Sequence, residues 1–238
     1  MPHLVYPLLG CEGTTDRRFL LPIILRTFRQ IEAECADLEL QVYEQDESDV
    51  ELLSGTGRTL HQFVQDAAVK GAYAGSRAVL CIHADADAAD DQVRRNQLKA
   101  AFAEVVQQTA TESADAFTAV VGSDPPVCHR LVALVPVYKT EAWLLADKDL
   151  LRAVLNTKLT VAELGLDYPP EARSSVKADV AEALRRAHQH AGGRPMKQSE
   201  LYAALGPRLS LDKLAVLDSY QKFQEAVRAA FRQLGYLR

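Results

Sequence analysis

A short apolar run, Ala78-Val-Leu-Cys-Ile-His83, ends in Ala84-Asp85-Ala86-Asp87, and no other stretch constrains the fold as tightly. Val, Leu and Ile in succession, without alternation, read as a strand over residues 78–84 that is buried on both faces. Such strands belong in parallel sheets covered by helices. Ligands in open α/β sheets bind beyond the carboxyl ends of the strands, so Asp85 and Asp87 stand at the mouth of a site. Two carboxylates this close repel each other unless a cation lies between them. Hard oxygen donors suit Mg²⁺ or Mn²⁺. A solvated acidic loop, continued by Asp90 and Asp91, is the plain alternative.

The rest of the chain alternates in the way such a sheet requires. His3–Leu9 reads as a first strand, with Pro7 as an objection because it removes a ladder donor. The turn 10–16 leads into a helix reaching about Glu34, with Phe19, Leu20, Ile23, Ile24, Phe28 and Ile31 at helical spacing. Pro22 belongs in its first turn or kinks it. Leu38–Glu44 reads as a second strand, 45–57 as a loop and Thr59–Ala74 as a helix. A long helix over Asp91–Ala110 follows, then a strand-like Phe117–Val121 and a break at Ser123–Pro126. Leu131–Val137 is a further strand and Thr140–Leu155 a helix. Beyond 156 strand signals fade, and Ser174–His190, Ser199–Leu205 and Leu211–Leu234 read as helices. The pattern predicts an α/β fold, Rossmann-like, with a mostly parallel sheet flanked by helices. The expected division is a core over 1–156 and a helical C-terminal portion over 157–238 packed on it.

Charge and cysteine usage narrow the function classes. The net charge of −5 hides a balance of −10 over residues 1–170 and +5 over 171–238. An acidic site-bearing part with a basic end suits a polyanion held near a metal, and basic helix surfaces alone would give the same totals. Cys11, Cys35, Cys81 and Cys128 are scattered, with no Cys-x-x-Cys, which argues against a zinc site and a disulfide scaffold. No signal peptide pattern and no membrane-spanning run are visible, so the expected compartment is the cytoplasm and no membrane partner is expected.

Acids recur at three strand ends. Glu12 and Asp16 follow the first strand, Asp85 and Asp87 the central one, and Glu141, with Asp147 further on, the strand at 131–137. If these strands are parallel neighbours, the carboxylates converge, and a divalent cation is the natural counter-charge. Lys139 could pair with a phosphate or stabilise developing charge. His83 reads as a core residue or a ligand, and Trp143 as packed against the sheet. His188 and His190 share a basic helix with Arg185 and Arg186.

Glu12-Gly13 after a first strand, followed by Asp85-x-Asp87 after a later one, resembles the Toprim pattern of topoisomerases, bacterial primases and the overcoming-lysogenization-defect nucleases. Glu12-Gly-Thr-Thr-Asp16 with Phe19-Leu20 is similar to the opening of Toprim-like nucleases of bacterial defence systems. Pro136-Val-Tyr-Lys-Thr-Glu141-Ala-Trp143-Leu-Leu-Ala-Asp147 resembles a small Toprim-like family. Its members end in a helical segment like Met196–Gly235 and often sit beside ATPase genes. The resemblance implies Glu12, Asp85 and Asp87 as metal-site acids, Asp16 as a second acid one helical turn on, and Glu141 as the later one. It also implies Mg²⁺ or Mn²⁺ as cofactor, nucleic acid as substrate, an antiphage role and an ATPase partner. No tyrosine placed as a topoisomerase nucleophile and no zinc module is visible, which favours a nuclease with Glu12, Asp85, Asp87, Lys139 and Glu141 as its catalytic set.

Other readings stay open on the sequence. Asp-x-Asp also occurs in nucleotide-sugar glycosyltransferases and in haloacid-dehalogenase-like phosphatases, although the phosphatases place it after their first strand and here it follows the third. A non-catalytic Toprim-like interaction subunit is a further alternative. Amphipathic helices near the end would allow two copies to pair as a homo-oligomer, and equally would simply cover a sheet.

Overall fold

The computed structural model describes residues 3–35, 39–53, 57–75, 77–115, 127–192 and 194–238. The expected strand at Phe117–Val121 and the break at Ser123–Pro126 lie outside the described residues. Among the described residues five parallel strands form the sheet: β1 (His3–Cys11), β2 (Leu40–Val42), β3 (Glu51–Leu52), β4 (Ala78–His83) and β5 (Leu131–Leu134). β1 lies between β4 on one side and the short strands β2 and β3 on the other, and β5 flanks β4. The predicted α/β class with a mostly parallel sheet and a helical C-terminal part is the observed one.

β4 explains its own sequence. Val79 and Cys81 enter one core, while Ala78, Leu80 and Ile82 enter the other. Both pleat faces are covered, so residues 78–82 are all apolar, and only His83 at the carboxyl end is polar. Helices α2 (Leu60–Ala72) and α3 (Gln92–Asp115) cover one face. Helix α1 (Thr14–Glu32) and the helical C-terminal part cover the other, in one continuous core from Val5 and Phe19 through Trp143 to Tyr220 and Phe231.

Pro7 causes no fault in the sheet. Tyr6 N–H donates to Arg77 O on the β4 side, and His3 N–H donates to Glu39 O on the β2 side. Alternation then turns residues 3, 5, 7, 9 and 11 toward the β2/β3 edge. β2 pairs with residues 3–5 and β3 with residues 10 and 11, so Pro7 faces the gap between them, where no ladder donor is required. In that gap Leu9 N–H donates to Gln45 Oε1 at 2.7 Å.

Several boundaries differ from the sequence reading: β2 and β5 are shorter than expected and α3 runs on to Asp115. The loop 45–57 holds a single 3₁₀ turn (Glu47–Asp49) and the two-residue strand β3. The helix expected over Thr140–Leu155 is divided into α4 (Glu141–Leu144), a 3₁₀ turn at Leu145–Asp147 and α5 (Lys148–Val154). The break is made by Asp147, whose carboxylate caps Leu150 N–H at 3.0 Å and is held by Lys213 at 2.6 Å. After α6 (Val176–Ala191) and α7 (Gln198–Leu205), the last expected helix is divided into α8 (Leu211–Leu214) and α9 (Asp218–Gln233), with Leu217 extended between them. Among the described residues no helix is long and apolar enough to cross a membrane, and all four cysteines are buried and unbonded.

Pro22 lies well inside α1, past its first turn. It has no N–H to give to the Arg18 carbonyl, and the end of α7 packs at that point. A Cβ on Gly206 would fall 2.6 Å from Phe19 O and 3.0 Å from Arg18 O, so glycine is what allows the approach. Arg26 Nη1 fastens the same contact by donating to Leu209 O at 2.8 Å and Pro207 O at 3.1 Å.

Candidate functional site

Glu12 immediately follows β1, and Asp85 lies two residues beyond β4. Because these strands are parallel neighbours, the two acids arrive side by side, and Asp85 N–H donates to Glu12 Oε1 at 3.2 Å. Gly13 precedes α1 in an extended conformation, which puts Asp16 in the first turn of that helix. A carboxylate there is favoured by the positive end of the helix dipole.

Asp85 is buried and densely bonded. Its Oδ1 accepts from Thr140 N–H at 2.8 Å and from the Thr140 hydroxyl at 3.1 Å. His83 Nε2 lies 3.3 Å from the same oxygen and 2.9 Å from Thr140 Oγ1. Burial alone would raise Asp85, but His83, Lys139 and the Thr140 N–H outweigh it and hold the carboxyl below its usual range. His83 is the complement. Burial pulls it down, yet the hydrogen bond to Asp85 and the charges of Asp16, Asp85 and Glu12 bring it up to about 9. Glu12 is raised, first by burial and then by the Asp85 and Asp16 charges, with His83 and the Asp85 N–H opposing.

Asp87 is not gathered with them. Its φ of 57° is left-handed, as is that of Tyr138. The two residues are joined where Asp87 N–H donates to Tyr138 O at 3.0 Å and Tyr138 N–H to Ala88 O at 3.0 Å. This turn carries Asp87 to the exposed rim, where Lys139 and Arg94 bind its carboxylate. Lys139 Nζ also lies 3.6 Å from Asp85 Oδ2, so one ammonium bridges the Asp-x-Asp pair. Burial alone would lower Lys139, but Asp87, Asp85 and Glu12 raise it and keep it charged.

Glu141 opens α4 one residue after Thr140 and is 3% exposed. Its Oε1 accepts from Gln198 Nε2 at 3.0 Å, and the same amide donates to the Tyr202 hydroxyl at 3.1 Å. Burial and then the charge of Glu141 raise the Tyr202 phenol, and Asp16 adds to the shift.

Of the five expected metal-site acids, Glu12 and Asp85 meet directly, Asp16 lies in the first turn of α1, Glu141 binds Gln198, and Asp87 lies at the rim with Lys139. The donors are all hard oxygens, the chemistry that Mg²⁺ and Mn²⁺ require. As the side chains stand, no group of three His, Cys, Asp or Glu among the described residues is spaced to ligate one ion. Lys139 lies against Asp85 in the position a cation would take. A cavity of about 630 Å³ lined by Asp149, Arg152, Asn156, Lys158 and His190 contains none of these residues.

Sequence reasoning missed Arg94, Thr140, Gln198 and Tyr202. Thr140 had a signal in its position before Glu141. Gln198 lies 57 residues from the acid it binds, and no local pattern connects them. No family model, curated protein or solved structure matches the chain.

Proposed function

We propose that the protein is a divalent-metal-dependent nuclease that hydrolyses phosphodiester bonds of nucleic acid, in the manner of the Toprim-like proteins its sequence resembles. The observation that supports this reading is the meeting of Glu12 and Asp85 beyond the carboxyl ends of two neighbouring parallel strands, with Asp16 in the first turn of the helix that follows and Lys139 at the rim. Carboxylates this close and this buried call for cationic compensation. Glu12 and Asp85 would hold one Mg²⁺ or Mn²⁺, with Asp16 and Glu141 completing the donor set. A bound divalent cation supplies an activated water and charge neutralisation at phosphorus. His83 and Thr140 hold Asp85 Oδ1, and Oδ2 faces Lys139. Lys139, once released from Asp85, is placed to meet a phosphate oxygen. An antiphage role alongside an ATPase partner follows from the resemblance alone.

A glycosyltransferase or phosphatase reading would draw Asp85 and Asp87 to one ligand. Lys139 already bridges the two carboxylates, and release of a sugar from a nucleotide, in place of nucleic-acid cleavage, would favour the transferase. The test is incubation of the purified protein with supercoiled plasmid and with single-stranded RNA, in Mg²⁺ or Mn²⁺ and in EDTA, beside Glu12→Ala and an Asp85→Ala, Asp87→Ala double variant. Metal-dependent cleavage by wild type that both variants lose supports the reading. Undiminished cleavage by the double variant removes it.

A further inference from the structure

We propose that the protein carries a second site, a cavity beneath the interrupted edge of the sheet that takes the aminated base of a nucleoside. The inference goes beyond the metal-dependent reading above and does not rest on it.

The cavity measures about 310 Å³, at the lower end of the range for small-molecule sites. Leu8 and Leu80 of the sheet and Ala67, Gly71 and Ala74 beside them give it apolar walls. α2 meets the sheet closely here, since a Cβ on Gly71 would fall 2.9 Å from the Cys128 Cβ and 3.4 Å from Leu8 Cδ1. Tyr6 and Tyr43 also line the cavity, with ring centroids 5.0 Å apart and planes tilted by 43°. Tyr43 is 52% exposed and Tyr73, another lining residue, 88%, so two of the five large apolar side chains exposed among the described residues border one cavity. Uncovered aromatic faces beside an apolar cavity suit a flat ring, because stacking needs only a π-face. The polar groups narrow the class. Gln45 Nε2 and Lys70 Nζ both donate to Asp49 O, at 3.2 Å and 2.7 Å. Lys70 also lies 3.8 Å from Glu51, whose carboxylate binds Arg58. Glu51 is thus met by two cations, while the Asp49 carboxylate has no ion-pair partner among the described residues. The rim carries one uncompensated negative charge, complementary to an exocyclic amine and unfavourable to a bare phosphate. A peptide strand is a poor occupant, because Pro7 has no N–H and Gln45 already accepts from Leu9 N–H in this gap.

Calorimetry and saturation-transfer NMR of the full chain with adenosine, cytidine and uridine test the site. Adenosine and cytidine are expected to bind. Uridine has the ring of cytidine without the amine, and should bind about tenfold or more weakly, the effect of losing a hydrogen bond to a charged group. Tyr43→Ala, at an exposed position, should weaken adenosine binding about five- to 150-fold, the loss of one base–aromatic stack. Asp49→Asn leaves the main-chain acceptor in place and should reduce the preference for cytidine. Ala74→Leu should fill the cavity and abolish binding, with circular dichroism as the check on its fold; if it does not fold, the Tyr43 and Asp49 variants decide. Glu12→Gln should bind adenosine as the wild type does. A single-stranded oligoadenylate that binds as tightly as adenosine assigns the base to a nucleic acid strand, and weaker binding assigns it to a free nucleoside; both uphold the site. Wild-type binding by Tyr43→Ala with binding lost in Glu12→Gln places the ligand at the acids and overturns the inference. No binding of any nucleoside, or uridine binding as tight as that of cytidine, also overturns it, and neither result bears on metal-dependent cleavage.

Discussion

The main-chain N–H of Asp85 donates to the carboxylate of Glu12 across two neighbouring parallel strands, at 3.2 Å. The bond fixes the direction of Glu12 but adds no full positive charge, and burial, then the Asp85 and Asp16 carboxylates, raise Glu12 against the opposing charge of His83. In the absence of metal, Glu12 is a destabilising charge. A carboxyl raised in the folded state contributes stability below its unfolded value and loses it as pH rises through the raised value. Glu12→Gln is therefore expected to be more stable than wild type at pH 8 without metal, with a midpoint higher by about 2–4 °C for each kcal/mol relieved. The gain should vanish in acid, where wild-type Glu12 is protonated. Thermal scans at both pH values check this, and a lower midpoint for the variant at pH 8 contradicts it.

Lys139 is expected to have opposite effects on metal binding and on turnover. Removing its ammonium from Asp85 and Asp87 takes away a competitor for the cation, so Lys139→Ala should bind Mn²⁺ at least as tightly as wild type. Cleavage should fall by about 10²–10³, the usual cost of losing a group that stabilises charge in the transition state. Binding and cleavage measured on one preparation give the answer, and full activity in the variant would exclude the role.

Asp91 anchors a structural network remote from the acids. It is 1% exposed and binds Arg95 at 2.6 Å and Lys222 at 2.7 Å, while Arg95 Nη1 reaches Ala133 O at 2.9 Å and Nη2 reaches Ser219 O at 3.2 Å. Asp91→Asn leaves a buried guanidinium without its counter-charge, and urea unfolding at pH 7 should show a loss of about 3–5 kcal/mol. Burial alone would raise Asp91, but Lys222 and Arg95 prevail and lower it. Its contribution is thus present above the ordinary carboxylate range and is lost as pH falls through the lowered value. The wild-type chain should lose stability along that acid limb, and the variant should lack this component.

Gln45 substitutes for a missing strand. Gln45→Ala leaves the buried Leu9 N–H without its acceptor, at a cost of about 1–3 kcal/mol. Hydrogen exchange at the Leu9 amide should accelerate in step with that loss. Unchanged protection would show that another acceptor serves the gap.

Much of this architecture was legible because apolar runs and helical periodicity alternate along the first 150 residues. β4 was clear since both of its faces are buried, and Glu12 and Asp85 were found because parallel strands deliver their ends to one edge. β3 was not legible: two residues among acids and glycines carry no period. The helix breaks at Leu145–Asp147 and before Asp218 were hidden because apolar spacing continues through them, and the break at Asp147 depends on Lys213, 66 residues away. The outward turn of Asp87 depends on a left-handed φ that aspartate tolerates without advertising it. Gln198 and Tyr202 reach the site only through the packing of α7 on α1.

The interrupted edge beside β1 also bears on how the molecule behaves in company. A long open strand would offer its unpaired amides to any neighbouring chain and seed intermolecular sheets. Here β2 has three residues and β3 two, and between them Pro7 offers no donor while Gln45 occupies the Leu9 amide. That margin is too short and too thoroughly blocked to template an added strand, so the fold carries protection against aggregation in the same residues that close its sheet.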